Sequence, residues 1–190
     1  MTHRHTGLRL SLAAALSILI AGFTVAPTAA GTQRYEGAEK LTLRLVNCTR
    51  TGGKVKANGS CKGYGTGRFS KYRPALKWHR AIADAVAYPW ARKIAKANYC
   101  GHTLSGSSVD KRFVRRGFPN RHNGENVGCS YAWGPREMVI RTHRMMQSEQ
   151  SYNGSHWRQM KDPDFKSAGI GVAKVNGKTR VVIDFYGKRP

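Results

Sequence analysis

Acidic residues are scarce in this chain: ten Asp and Glu stand against thirty-three Lys and Arg in 190 residues, a formal charge of +23. That balance excludes an acidic, self-solvating coat. It favours anionic partners: cell-wall polymers, acidic lipid head groups or nucleic acid. Long apolar runs are missing after residue 30, so no later segment predicts a membrane span, which needs about 20 apolar residues. No Cys-x-x-Cys pair occurs, which argues against a cysteine-ligated zinc site. The Gly63-x-Gly65-x-Gly67 run has no Lys-Ser/Thr after it and no clear strand before it. It reads as a loop beside Cys61 rather than a phosphate cradle. No Ser/His/Asp or Cys/His nucleophile arrangement stands out, and there is no internal repeat. No nucleic-acid motif is present and the basic residues are dispersed, so a specific nucleic-acid partner is not expected.

Residues 1–30 read as a signal peptide. Arg4 and Arg9 form a positive start, Leu10 to Ile20 an apolar core, and Thr28-Ala29-Ala30 a small-residue cleavage site. Cleavage there leaves 160 residues and lowers the formal charge to about +21. That length suits one domain with its own core. Residues 31–37 read as a short tail and 38–190 as the domain. Four cysteines in an exported chain predict two disulfides and an oxidising, extracellular location. Of the three pairings, Cys48–Cys61 and Cys100–Cys129 is the expected one. The first closes a short Gly/Lys-rich loop, and the second ties the segments that carry His102 and Glu125. Asn-x-Ser/Thr triplets at Asn47, Asn58 and Asn153 matter only in a host that glycosylates exported proteins.

Periodicity predicts helices over about Ala38–Asn47, residues 74–97 and Pro135–Gln150, with a short basic helix around Val109–Arg116. Pro74 and Pro135 suit first turns, and Pro89 predicts a kink or two consecutive helices. Val127–Tyr131 suits a strand. Two apolar runs flank Asn176-Gly177, the strongest short-range hairpin signal. Helices interleaved with few strands indicate a compact α+β or layered domain.

The residues suited to chemistry are His102, Glu125, Glu149 and His156. Imidazoles hold divalent cations through neutral nitrogens. Carboxylates orient such rings, hold water or act as bases. His79 and His143 lie on helical faces among apolar residues and read as packing histidines. His122 lies in a polar loop and lacks the company that a His-Asn-His nuclease would need.

In this order and spacing the motifs resemble the CAP superfamily, which includes cysteine-rich secretory proteins, venom allergens and plant pathogenesis-related proteins. The resemblance covers about residues 38–187. It rests on Asn47-x-x-Arg50 at the end of the first helix, and on Leu76-Lys77-Trp78 through Trp90-Ala91 leading to His102. Gly124-Glu125-Asn126, Ser148-Glu149 and His156-Trp157 follow. Gly169-Ile170-Gly171-Val172 and Asp184-Phe185-Tyr186 close it. Ser155 and Trp157 stand where the family usually has Gly and Tyr. The resemblance implies a three-layer α–β–α sandwich with a cleft holding His102, Glu125, Glu149 and His156. It also implies zinc or another divalent cation on His102 and His156. The expected function is a secreted binding or effector module, monomeric, whose basic surface meets an anionic cell-surface polymer or lipid. A sterol or lipid ligand is a further partner that the resemblance implies. The alternative is a metal-assisted, protease-like hydrolase with Glu125 or Glu149 as base.

Overall fold

In the computed structural model, residues 33–118 and 122–187 are described. The signal peptide assigned to residues 1–30 lies outside them. The chain runs β1 (Gln33–Arg34), α1 (Glu36–Arg50), β2 (Lys54–Val55), β3 (Cys61–Lys62) and β4 (Lys77–Trp78). Then come α2 (Arg80–Ile82), a π-helical turn (Ala83–Ala87), α3 (Tyr88–Lys96), α4 (Val109–Arg115) and β5 (His122–Ser130). It ends with α5 (Pro135–Ser148), a 3₁₀ turn (Glu149–Tyr152), α6 (Ser155–Lys161), β6 (Phe165–Val175) and β7 (Lys178–Gly187).

The main sheet has the order β1-β6-β7-β5, with β4 parallel to β6. The β6–β7 hairpin turns at Asn176-Gly177, both with positive φ, as a type I′ turn requires. Strand alternation sorts the side chains. Val181, Ile183 and Phe185 join Leu45, Val46, Met138, Met146 and Met160 from α1, α5 and α6 in one apolar layer. Val182 and Val127 face Trp90, Ala91 and Ile94 of α3 on the other side. The result is the expected α–β–α sandwich.

Glycine lets the second helical layer lie directly on β6. A Cβ at Gly169 would strike the backbone at Ile82–Ala83, and one at Gly171 the backbone at Ala87–Tyr88. Backbone cannot yield as a flexible side chain can, so these two positions exclude larger residues.

Four expectations change. The tail assigned to residues 31–37 is part of the fold from Gln33 onward. There β1 pairs with β6, and Arg34 bonds both Glu39 and Asp84. The helix expected over 74–97 begins only at Arg80. Residues ahead of it extend instead, because Asn47 bonds the Leu76 N–H and C=O at 2.8 and 3.0 Å and so delivers Lys77–Trp78 to β6. The break expected at Pro89 lies just upstream, as the π-turn: the Tyr88 N–H reaches back to the Ala83 carbonyl. Proline lacks the N–H that an unbroken α-helix would need at residue 89. Pro135 does open its helix, and β5 starts earlier than expected, at His122.

Cys48–Cys61 and Cys100–Cys129 are joined. Two buried polar side chains anchor α1 to the rest. The Arg50 guanidinium donates to the carbonyls of Pro74 (3.0 Å), Met160 (2.7 Å), Asp162 (2.9 Å) and Phe165 (3.2 Å). His143 Nε2 meets Thr49 Oγ1 at 2.8 Å. Among the described residues no helix is long and apolar enough to cross a membrane.

Candidate functional site

Two histidine–glutamate pairs meet at one cleft. His102 follows the Cys100 disulfide, and Glu125 lies on β5 just before Cys129, so the bridge holds both ends of this pair. His102 Nδ1 lies 2.8 Å from Glu125 Oε1. The other Glu125 oxygen is bound by Arg112 of α4, whose remaining amino group donates to the carbonyls of His102 (2.9 Å) and Ser107 (3.1 Å). Arg112 thus fixes both members of the pair, and it stacks 3.8 Å over the Trp90 ring.

The second pair spans the turn between α5 and α6. Asn153 takes a left-handed φ of 55° there and turns the chain back on itself. His156 Nδ1 then sits 2.5 Å from Glu149 Oε1. Glu149 Oε2 accepts the backbone N–H groups of His156 (2.9 Å) and Trp157 (3.3 Å). Burial alone would push the Glu149 carboxyl up. The His156 bond, that ring's charge and the two N–H groups outweigh it and hold the carboxyl below its ordinary value.

His102, Glu125 and His156 line a cleft of about 330 Å³ together with Asn123 and Asn126. Glu149 stands behind His156 rather than on the wall. In each pair Nδ1 faces a carboxylate, so Nε2 is the ring nitrogen left for a ligand. A carboxylate on the far nitrogen orients a metal-ligating imidazole and raises its basicity. Asn126 donates to the His156 carbonyl at 3.1 Å, while its buried Oδ1 has no partner among the described residues. The donor set suits a divalent cation with open coordination positions.

The packing role expected for His143 holds. His79 caps α2 by accepting the Ile82 N–H at 3.3 Å and meets Phe118 and Tyr186 edge-on. Three groups went unseen in the sequence. Arg112 was one of many basic residues. Asp184 lies opposite Glu125 across β5 and β7, fully buried, with no hydrogen-bond partner on either oxygen. Burial, then the charge of Glu125, raise its pKa well above the usual carboxylate range and favour the protonated form. The third is the acidic company that His122 was expected to lack: His122, Asp162 and Asp164 bring ligand atoms within 4.8 Å of one another and could hold a metal ion. His122 Nε2 lies 2.7 Å from Asp162 Oδ2, and its ring stacks on Phe165. Asp162-Pro163-Asp164 in so acid-poor a chain was the available signal.

Residues 45–185 match the CAP family, the cysteine-rich secretory protein family. The chain belongs to it. Solved structures similar to this CAP protein include an extracellular SCP-domain protein of Bacillus anthracis, 16% identical with a TM-score of 0.56. That match covers 82% of this chain and 41% of the Bacillus chain, so this chain spans less than half of that relative's length. An outer surface protein of Borrelia burgdorferi is 14% identical with a TM-score of 0.57, over 84% of this chain and all of that one. NaASP2, solved with Zn²⁺, is 16% identical with a TM-score of 0.52, over 82% of this chain and 85% of its own. At these identities the likeness carries the fold alone. No curated protein sequence matches this CAP protein significantly.

Proposed function

We propose that this CAP protein is a secreted binding module that holds a divalent cation, zinc in the first instance, between His102 and His156. The observation that carries this is the paired arrangement in which a glutamate holds Nδ1 of each ring while both histidines line one cleft. Glu125 and Glu149 orient the rings and remain outside the coordination sphere. The alternative, hydrolysis, needs one carboxylate as a base. Both Glu125 oxygens are engaged by His102 and Arg112, and both Glu149 oxygens by His156 and backbone N–H groups. Binding is therefore the better supported reading.

Zinc bound only by the folded chain raises its melting temperature. The His102→Ala/His156→Ala double variant is expected to lose that gain, while His122→Ala keeps it. Loss in His122→Ala with retention in the double variant would move the cation to the Asp162/Asp164 group and refute the cleft site.

The basic surface serves attachment to anionic envelope polymer or lipid. A charge of about +21 on the 160 residues that follow the leader supports this reading. Binding to anionic vesicles should fall steeply from low salt to 1 M, where the Debye length is about 3 Å. The His156→Ala variant should bind as the parent does. Attachment that persists at 1 M salt would exclude a bulk-charge mechanism.

A further inference from the structure

Behind Arg112, on the side of α4 that meets α3, lies a second cavity of about 210 Å³. Trp90, Lys93, Ser107, Arg112, Arg115 and Arg116 line it, and Ala85 and Val86 of the π-turn close one wall. Two of these residues carry a buried N–H with no acceptor: Trp90 at Nε1 and Arg112 at Nε. Both are more than nine-tenths buried, with 2% and 8% of their surface exposed. An unpaired buried donor costs free energy that a bound acceptor would return.

Charge points the same way. The Arg112 charge is matched by Glu125 through Nη2. Lys93, Arg115 and Arg116 form no ion pair among the described residues, and no acidic residue lines this cavity. Two unpaired buried donors beside cations without ion-pair partners are what a tetrahedral oxyanion needs.

We propose that this cavity is an anion-binding site for a phosphate group, free or as the end of a larger molecule, held by the Trp90 Nε1–H and Arg112 Nε–H donors. Lys93, Arg115 and Arg116 supply the counter-charge. The inference narrows the anionic-surface reading to one discrete pocket, which shares Arg112 with the cation cleft but uses Nε, the nitrogen that the cleft leaves unpaired. Diffuse adsorption is tested on vesicles, the pocket on a small ligand, so either can fail alone.

The test is titration of the ¹⁵N-labelled protein with inorganic phosphate and, separately, glycerol 3-phosphate, following the indole N–H resonances. Trp90→Phe identifies the Trp90 signal and removes one donor while keeping an aromatic ring. The Trp90 signal is expected to shift saturably with at least one of the two ligands. Phosphate alone marks a free ion, and the ester alone a group carried on a larger molecule. Calorimetric affinity should fall about tenfold in Trp90→Phe, the loss of about one hydrogen bond to a charged group. It should fall further in Arg115→Gln/Arg116→Gln, and remain in His156→Ala and in Lys54→Gln/Lys62→Gln, which removes the same charge elsewhere. No shift with either ligand, or equal losses in the Arg115/Arg116 and Lys54/Lys62 variants, would overturn the site.

Discussion

Arg50→Met is expected to destabilise the protein by about 3–5 kcal/mol. The substitution keeps much of the side chain's volume but removes every donor. Four carbonyls, the buried ones of Met160 and Phe165 and the part-buried ones of Pro74 and Asp162, then lose their partner. Unpaired buried acceptors cost about 1–3 kcal/mol each, moderated where water or a neighbour such as Lys161 can step in. Among the described residues no carboxylate accepts a hydrogen bond from the guanidinium, and burial pulls its pKa down to about 10, so it remains charged at neutral pH. Arg50→Lys should recover only part of the loss, since an ammonium cannot span four acceptors in the guanidinium plane. Denaturant unfolding at pH 7 measures both. A loss under about 1 kcal/mol in Arg50→Met would show that these carbonyls find other partners.

Acid should weaken the fold well above the range where carboxylates titrate, and His143 is the reason. Thr49 Oγ1 donates to Gln147 Oε1 at 3.1 Å, so it must accept from His143 Nε2–H, which leaves the buried Nδ1 bare. Protonating Nδ1 would create a buried charge with no acceptor, and burial holds the imidazole down to about 3. The unfolded chain takes this proton near pH 6.5, the folded one only near pH 3. The neutral ring's contribution is therefore fully present above pH 6.5. It falls as pH drops through the window between the two values, by about 1.4 kcal/mol per unit. Between pH 7.5 and 4.5 this residue alone should remove about 2.5 kcal/mol. His143→Gln keeps a donor for Thr49 and cannot titrate, so its stability should fall less over that span by the same amount. Equal slopes in parent and variant would assign the acid sensitivity elsewhere.

What was legible in the sequence follows what is local. The Asn176-Gly177 turn, the apolar faces of α1 and α5, and Pro135 at a helix start each carry their signal within a few residues. His102, Glu125, Glu149 and His156 were legible as candidates through the nearness of His102 to Cys100, Gly124-Glu125-Asn126 and the spacing of Glu149 and His156; that Glu149 stands behind the cleft wall was not legible. The two-residue strands β1 and β4 were not, since each is set by a partner on distant β6. Arg112 was hidden by composition: its role comes from standing between Trp90 and Glu125. Asp184 was hidden by register, because only the pairing of β5 with β7 sets it opposite Glu125.

That register bears on how the chain reaches its fold at all. Every pairing in the main sheet includes β6 or β7: β1 and β4 join β6, and β5 joins β7. Those two strands follow every other described element. A nascent chain that has emerged only as far as α6 therefore has helices and one small hairpin, but no sheet on which α1 or α3 can bury an apolar face. Contacts of such long sequence separation also close slowly. Until Phe165–Gly187 is present the main sheet cannot close, and α1, α5 and α6 can cover their apolar faces only on one another.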